Sequence, residues 1–252
     1  MKYAIITGTS RGLGESIAKY LLESGIHVIG IARTDSTELA NYAKSNNVTF
    51  THFTCDLSNV VEIENTFEKI KNEVFTDNLT TLYLVNNAAV LDPIDPSMII
   101  KSNDLAYHMQ VNSIAPMVLT NLFLKESTET EVTMIGVTIT SGAAERPIYG
   151  WSAYCSSKAS INRYTETVAL EQEELKTGNK VIAFSPGIMD TEMQEKIRST
   201  SKQSFIDVNT FIAYKKDNKL KGTDAVAGIL VDILNDEGSI ENGKIYNVSD
   251  YF

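Results

Sequence analysis

Three glycines between a strand-like run and a helix-like run constrain this chain more than any other feature. The β-branched stretch YAIIT (3–7) leads into TGTSRGLG (7–14), and GESIAKYLLESG follows with helical periodicity and a closing Gly25. Gly8, Gly12 and Gly14 are spaced G-x3-G-x-G. Glycine admits positive φ and lets the backbone approach a ligand, while the free N–H groups that open a helix face an anion. Alone, such a pattern is only a tight turn. Between a strand and a helix of an alternating chain it reads as the phosphate cradle of a dinucleotide site.

The alternation continues along the sequence. HVIGIA (27–32), VTFTHF (48–53), TLYLVNN (81–87), TMIGVTIT (133–140), KVIAFSP (180–186) and KIYNVS (244–249) are strand candidates. Helical patterns lie near 36–46, 59–75, 103–127, 152–176 and 223–235. Apolar strands alternating with helices of this length imply βαβ crossovers, a parallel sheet and helices on both faces. The expected fold is α/β: one Rossmann-type, doubly wound parallel sheet of about seven strands, spanning 1–252 as a single domain. The polar segment 188–221 is too long for an ordinary connection and reads either as a substrate lid or as disorder.

Composition removes several function classes. The 252 residues are 43% hydrophobic and 21% charged, ordinary for a globular domain. A net charge of −10 argues against general affinity for nucleic acid or anionic membrane. The first apolar run is too short for a signal-peptide core, and no stretch approaches the ~20 apolar residues needed to span a bilayer. A soluble, cytoplasmic protein is expected. Cys55 and Cys155 form no CxxC and the histidines do not cluster, so neither a metal site nor a disulfide framework is expected. Cys155 reads as a small buried hydrophobe.

Cofactor choice turns on the end of the second strand. NAD asks there for a carboxylate on the ribose 2′-OH, and NADP for a cation on the 2′-phosphate. The sequence has Ala32-Arg33, and Arg11 lies inside the glycine turn. A guanidinium suits bidentate phosphate binding, so NADP(H) is favoured. Asp35 is the rival, although DSTE (35–38) has the form of a helix N-cap with Glu three residues on. Asp56, in CDLS, either accepts from an adenine amino group or caps the helix beginning near Ser58.

SAYCSSK (152–158) sets Tyr154 and Lys158 one helical turn apart, a spacing also common on surface helices. What gives the pair a task is Ser141 at the end of the fifth strand, Asn112 in YHMQVNSIAP and NNAA (86–89) ending the fourth. All fall at the carboxyl ends of strands, where open parallel sheets bind ligands. Reduction of a carbonyl by hydride leaves an alkoxide that needs a proton. A free tyrosine, with a pKa of about 10, relays protons poorly at neutral pH, and a nearby ammonium makes it more acidic, as does the positive nicotinamide of an oxidised cofactor. Tyr154 is then the acid, Lys158 its activator and Ser141 the donor to the substrate carbonyl. The chemistry expected is NADPH-dependent carbonyl reduction, with NAD-linked alcohol oxidation as the alternative.

The glycine turn, NNAA, Ser141, YCSSK and SPGIMDT, in that order over nearly the whole chain, resemble the short-chain dehydrogenase/reductase family. GWSAYC, SPGIMDTEMQ and KIRS are most similar to its bacterial benzil reductases, which resemble sepiapterin reductase. Where the family has glycine, this chain has Ala89. The resemblance implies that Asn112 holds a water linking Lys158 to solvent, and that Lys158 also grips the nicotinamide ribose. It implies cofactor contacts from Ser10, Leu13, Leu57, Asn87 and Ala88, and from Pro186, Gly187, Ile188 and Thr191, the last to the carboxamide. It also implies benzil reduced to (S)-benzoin as an activity, and dimers or tetramers through the helices near 103–127 and 152–176. The substrate wall is expected from Tyr149, Trp151, Met189 and Met193, with Ile188 and Phe205 beside them, an apolar set suited to a bulky aromatic ketone or diketone. Asp250, in NVSDYF, corresponds loosely to a carboxylate that anchors pterins in sepiapterin reductases.

Overall fold

The central apolar runs become strands because both of their faces are covered. In the computed structural model, which describes all 252 residues, the strands are β1 (Lys2–Thr7), β2 (His27–Ala32), β3 (Phe50–Thr54), β4 (Thr81–Asn86), β5 (Thr133–Ile139), β6 (Lys180–Ser185) and β7 (Ile245–Asn247). They form one parallel sheet in the order β3-β2-β1-β4-β5-β6-β7. The connecting helices are α1 (Gly12–Glu23), α2 (Thr37–Ser45), α3 (Val60–Val74), α4 (Ser102–Met109), α5 (Ala115–Glu129), α6 (Ser152–Leu175), α7 (Glu192–Ser199), α8 (Val208–Lys216) and α9 (Thr223–Asn235).

Alternate strand residues feed two cores. Ala4, Ile6, Val28, Tyr83 and Val137 pack on α1, α2 and α9, while Ile5, Ile29, Leu84 and Met134 pack on α3, α5 and α6. Strand order reverses between β1 and β4, which opens a crevice at their carboxyl ends. No helix is long and apolar enough to cross a membrane.

Two local expectations are corrected and two open alternatives are narrowed. The helix expected over 103–127 is broken: α4 and α5 are joined by a π-helical turn over Gln110–Ile114. Pro116 carries no N–H to give the Asn112 carbonyl four residues back, so the α-helical ladder cannot run through this point. Segment 188–221 is not disordered but holds α7 and α8. Its base is closed by a parallel bridge between Met189 and Lys221, with Lys221 N–H donating to the Ile188 carbonyl at 3.0 Å. The cap of α2 is Ser36, whose hydroxyl accepts from Leu39 N–H at 3.4 Å; Asp35 instead accepts from Ser36 N–H at 2.6 Å. The cap of α3 is Asn59, accepting from Val61 and Glu62 N–H, so Asp56 is not the cap and closes a small turn onto Ser58 N–H at 2.9 Å.

At Gly14 a methyl group would meet the Gly8 carbonyl oxygen at 2.3 Å and Asn87 Nδ2 at 2.4 Å, whereas at Gly228, inside α9, it would meet nothing within 4 Å. Gly14→Ala should destabilise the protein by about 1–3 kcal/mol, and Gly228→Ala should stabilise it by about 0.5–1 kcal/mol. Denaturant unfolding of both variants checks the opposite signs; a Gly14→Ala protein as stable as the parent would refute the close approach.

Candidate active site

The glycine turn is bolted to the end of β4. The Thr7 hydroxyl accepts from the main-chain N–H of Asn87 and Ala88, both at 3.0 Å, and Asn87 Nδ2 donates to the carbonyls of Thr7 (2.9 Å) and Gly8 (3.3 Å). Gly8 and Gly12 have φ of +75° and +65°, and beyond Gly12 the space is open. Arg11, at the N-cap of α1, makes no side-chain capping bond, so the first N–H groups of the helix have no side-chain acceptor. Open space over uncapped N–H groups fits a pyrophosphate. Ser10 is exposed on the turn and Leu13 anchors it from the core.

The groups that would distinguish NADP from NAD are both at the surface. Arg33 is exposed just past β2, and Arg11 pairs with Glu192 of α7. Asp35 lies 3.8 Å from the His52 ring. Leu57 is half-buried against the α3 layer, as part of the wall after β3. Past β6, Pro186 is buried, Gly187 turns the chain at φ +70° and Ile188 is half-buried. Thr191 caps α7, its hydroxyl accepting from Gln194 N–H at 3.4 Å.

Ser141, Tyr154 and Lys158 converge past the end of β5. Ser141 caps a short 3-10 turn and accepts from Ala143 N–H at 3.2 Å. Tyr154 and Lys158 lie on the first two turns of α6, only 7% and 4% exposed. Lys158 Nζ donates to the Ile139 carbonyl at 2.8 Å and sits 5.7 Å from the centre of the Tyr154 ring. Burial pushes the Tyr154 phenol up to about 12, opposed by a hydrogen bond from the Ser141 hydroxyl. Burial likewise brings the Lys158 ammonium down to about 8. The sequence-based expectation named two sources of acidity, the Lys158 ammonium and the positive nicotinamide of an oxidised cofactor, and only the first belongs to the protein itself. The ammonium is spent on a carbonyl, and the loss of water around the phenol outweighs it.

Asn112 stands in the π turn with its carboxamide already committed. Oδ1 accepts from Val90 N–H at 2.8 Å, and Nδ2 donates to the Val90 carbonyl at 2.8 Å and to His108 Nε2 at 3.0 Å. Any water it holds must use its main-chain carbonyl or the remaining Oδ1 lone pair.

Above Tyr154 lies a third apolar cluster, roofed by α7 and α8. Trp151 stacks on Phe205 at 4.8 Å and meets Tyr154 at 5.2 Å and Phe211 at 5.6 Å; Met193 and Cys155 pack alongside. Trp151, Met193 and Phe205 thus gather around the phenol as expected from the sequence. Three nominees do not, and the first is Ile188, half-buried on the turn after β6 and outside the cluster. Tyr149 is half exposed, and Met189 packs on the core beneath α1 and α9. Leu91, Ile94, Ile197, Val208 and Phe211 also belong to the cluster and were not singled out from the sequence. The i,i+4 pair Met193 and Ile197 in the polar EMQEKIRS was the available signal. Asp250 lies exposed on the 3-10 turn that closes the chain.

The folded Lys158 titrates below its unfolded value of 10.5, so charging it opposes folding. That cost is complete below pH about 8 and fades as the pH rises to 10.5. Relative to Lys158→Met, the parent should therefore gain up to roughly 3 kcal/mol of stability over that interval. Denaturant unfolding at stepped pH tests this; a stability gap that stays constant from neutral to alkaline pH would contradict the burial.

The sequence model of short chain dehydrogenases matches residues 2–202. The benzil reductase ((S)-benzoin forming) of Bacillus cereus is 37% identical over 250 residues, covering 99% of this chain and 100% of that protein. Its namesake from Bacillus subtilis is 38% identical over 251 residues, covering 100% of each. A crystal structure of a short-chain dehydrogenase/reductase from Saccharomyces cerevisiae superposes with a TM-score of 0.80 at 25% identity, over 98% of this chain and 96% of that one. With its parallel sheet, its glycine turn and Ser141 beside the buried Tyr154 and Lys158, the chain belongs to the short-chain dehydrogenase family.

Proposed function

We propose that this protein is an NADPH-dependent carbonyl reductase acting on a bulky aromatic ketone or 1,2-diketone, with benzil as the reference substrate. The observation that carries this reading is the position of Tyr154, a buried proton donor beside Ser141 at the floor of the Trp151–Phe205–Phe211 cluster. The full-length likeness to two benzil reductases supports the same substrate class. The buried indole N–H of Trp151 has no partner in the protein, which suits a substrate carrying a second carbonyl oxygen.

Bound NADPH supplies the hydride. Ser141 and Tyr154 donate hydrogen bonds to the carbonyl oxygen as its negative charge grows, and Tyr154 then passes its proton to that oxygen. Lys158, which holds its proton below about pH 8, stabilises the phenolate left behind and binds the ribose hydroxyls. Because the protein's own groups hold the phenol near 12, its acidity in turnover depends on positive charge brought into the site with the oxidised nicotinamide.

Gly8, Gly12, Gly14, Ser10, Leu13, Asn87, Ala88 and the Pro186–Thr191 turn form the cofactor's bed, with Asp56 and Leu57 at its adenine end. Arg11 and Arg33 supply cations for a 2′-phosphate, which favours NADP over NAD. Segment 188–221 serves as a lid, swinging about the Met189–Lys221 bridge. Exposed Ile114, Leu170 and Leu175, on the helices after β4 and β5, suit a homodimer or homotetramer. A cytoplasmic location fits the acidic, span-free chain.

Absorbance at the NADPH band with benzil as acceptor tests the assignment. Tyr154→Phe should lower kcat by at least about a hundredfold while leaving the NADPH Kd within about twofold; a variant that keeps most of its rate would dismiss Tyr154 as the acid. Arg33→Ala should weaken NADPH by about 1.5–3 kcal/mol and leave NADH nearly unaffected. Equal losses for both cofactors would rule out the 2′-phosphate contact.

A further inference from the structure

His108, in the last turn of α4, is fully buried and joins three elements. Its Nδ1 lies 2.6 Å from the carbonyl oxygen of Asp92, on the loop after β4. Its Nε2 lies 3.0 Å from Asn112 Nδ2 in the π turn and 3.1 Å from Ser157 Oγ on α6. The ring stands edge-on to Tyr154, with centroids 6.1 Å apart.

Counting donors and acceptors fixes the state of this ring. The main-chain N–H of Val90 can only donate, so the Asn112 atom facing it at 2.8 Å is the oxygen. The amide nitrogen then faces the Val90 carbonyl and His108 Nε2, and it too can only donate. Nε2 must therefore be bare, with the ring's proton on Nδ1 and aimed at Asp92. The hydroxyl proton of Ser157 goes to the Tyr154 carbonyl at 2.8 Å, which leaves Ser157 Oγ with lone pairs only. A proton added at Nε2 inverts the pattern. Two N–H groups then oppose each other at Asn112, while Ser157 Oγ stands ready to accept. Each state of the imidazole therefore has one matched partner at Nε2, Asn112 for the bare nitrogen and Ser157 for the protonated one.

We propose that His108 is a positioning residue for the reaction: its neutral ring locks Asn112 onto Val90, and its protonated ring turns to Ser157 and releases that lock. The proposal rests on the reductase reading, because the segment Asn112 holds continues from Asn87 and Ala88, the wall of the cofactor crevice. The same ring anchors that segment a second time through the Asp92 carbonyl.

The charges facing the ring set where it switches. Burial holds His108 below the ordinary histidine range, opposed by Asp92 and reinforced by Lys158. The Asp92 carboxylate is itself paired with Lys196 of α7, Tyr154 is uncharged, and Asp104, one turn back on α4, is exposed. Lys158 stays charged up to about pH 8, so a cation opposes protonation of His108 through the neutral range. The folded ring titrates below its unfolded value of 6.5, so the stability it contributes is complete above that value and is lost as the pH falls through the folded one.

Two measurements test this. Long-range 1H–15N NMR of the imidazoles in the parent protein should show His108 as the Nδ1–H tautomer at neutral pH; an Nε2–H tautomer would overturn the proposal without reference to any activity. In steady-state reduction of benzil by NADPH, the parent kcat should fall on the acid side of pH 6.5. His108→Ala should lower kcat by about tenfold at neutral pH with little change in the KM for NADPH. His108→Gln, which keeps an acceptor near Nε2 that does not titrate, should recover kcat to within about threefold of the parent and abolish the acid limb. An unchanged acid limb in His108→Gln would refute the proposal. Absence of benzil turnover in the parent would instead count against the reductase reading, with the tautomer still deciding the role of His108.

Discussion

The hydrogen bond from Lys158 to the Ile139 carbonyl is the contact on which the site depends. Removing an ammonium from water is costly unless it finds acceptors, and here the acceptor is the last carbonyl of β5. That bond ties α6 to the end of β5 one helical turn from Tyr154, with Ser141 two residues further along the chain. Both ends of the bond belong to rigid elements. The reacting groups are thus placed by the sheet and a long helix rather than by a loop.

The roof over Tyr154 is held in a different way. Ion pairs tie α7 to its surroundings, Glu192 to Arg11 and Lys196 to Asp92, but all four side chains are at least half exposed. Exposed pairs of this kind contribute about 0–1 kcal/mol each. The larger contribution comes from Ile197, Met193, Phe205 and Val208, which bury apolar surface against Trp151 and Leu91. The Arg11–Glu192 pair also sets the roof in direct competition with any phosphate that Arg11 binds.

Most of the sheet was legible because strands covered on both faces show as unbroken apolar runs; HVIGIA matches β2 residue for residue. Three features were not. The break at Asn112 hides because a proline in the first turn of a helix is tolerated, so Pro116 does not announce a π turn upstream. Helices α7 and α8 are short, and in the polar α7 a single pair of apolar residues, Met193 and Ile197, is a weak periodic signal. Asp35 and Ser36 are both good caps, and only the geometry says which one is used. In the candidate site, the clustering of Ser141, Tyr154 and Lys158 was legible because carbonyl reduction calls for those types at strand ends. Tyr149 and Met189 lie outside the apolar cluster, because residue type near a site does not tell which way a side chain leaves the backbone. His108 passed unnoticed, since a lone histidine in a polar helix has no sequence signature of burial.

What remains decisive is the acidity of one phenol. With tyrosines labelled at Cζ, 13C NMR follows the titration of Tyr154 in the free protein and with NADP+ bound. The expected result is a midpoint near 12 in the free protein that falls below about 10 once the positive nicotinamide is in place. A midpoint already below about 10 without the dinucleotide, or one that NADP+ leaves unmoved, would contradict burial and incoming charge as the opposing forces that set this proton donor.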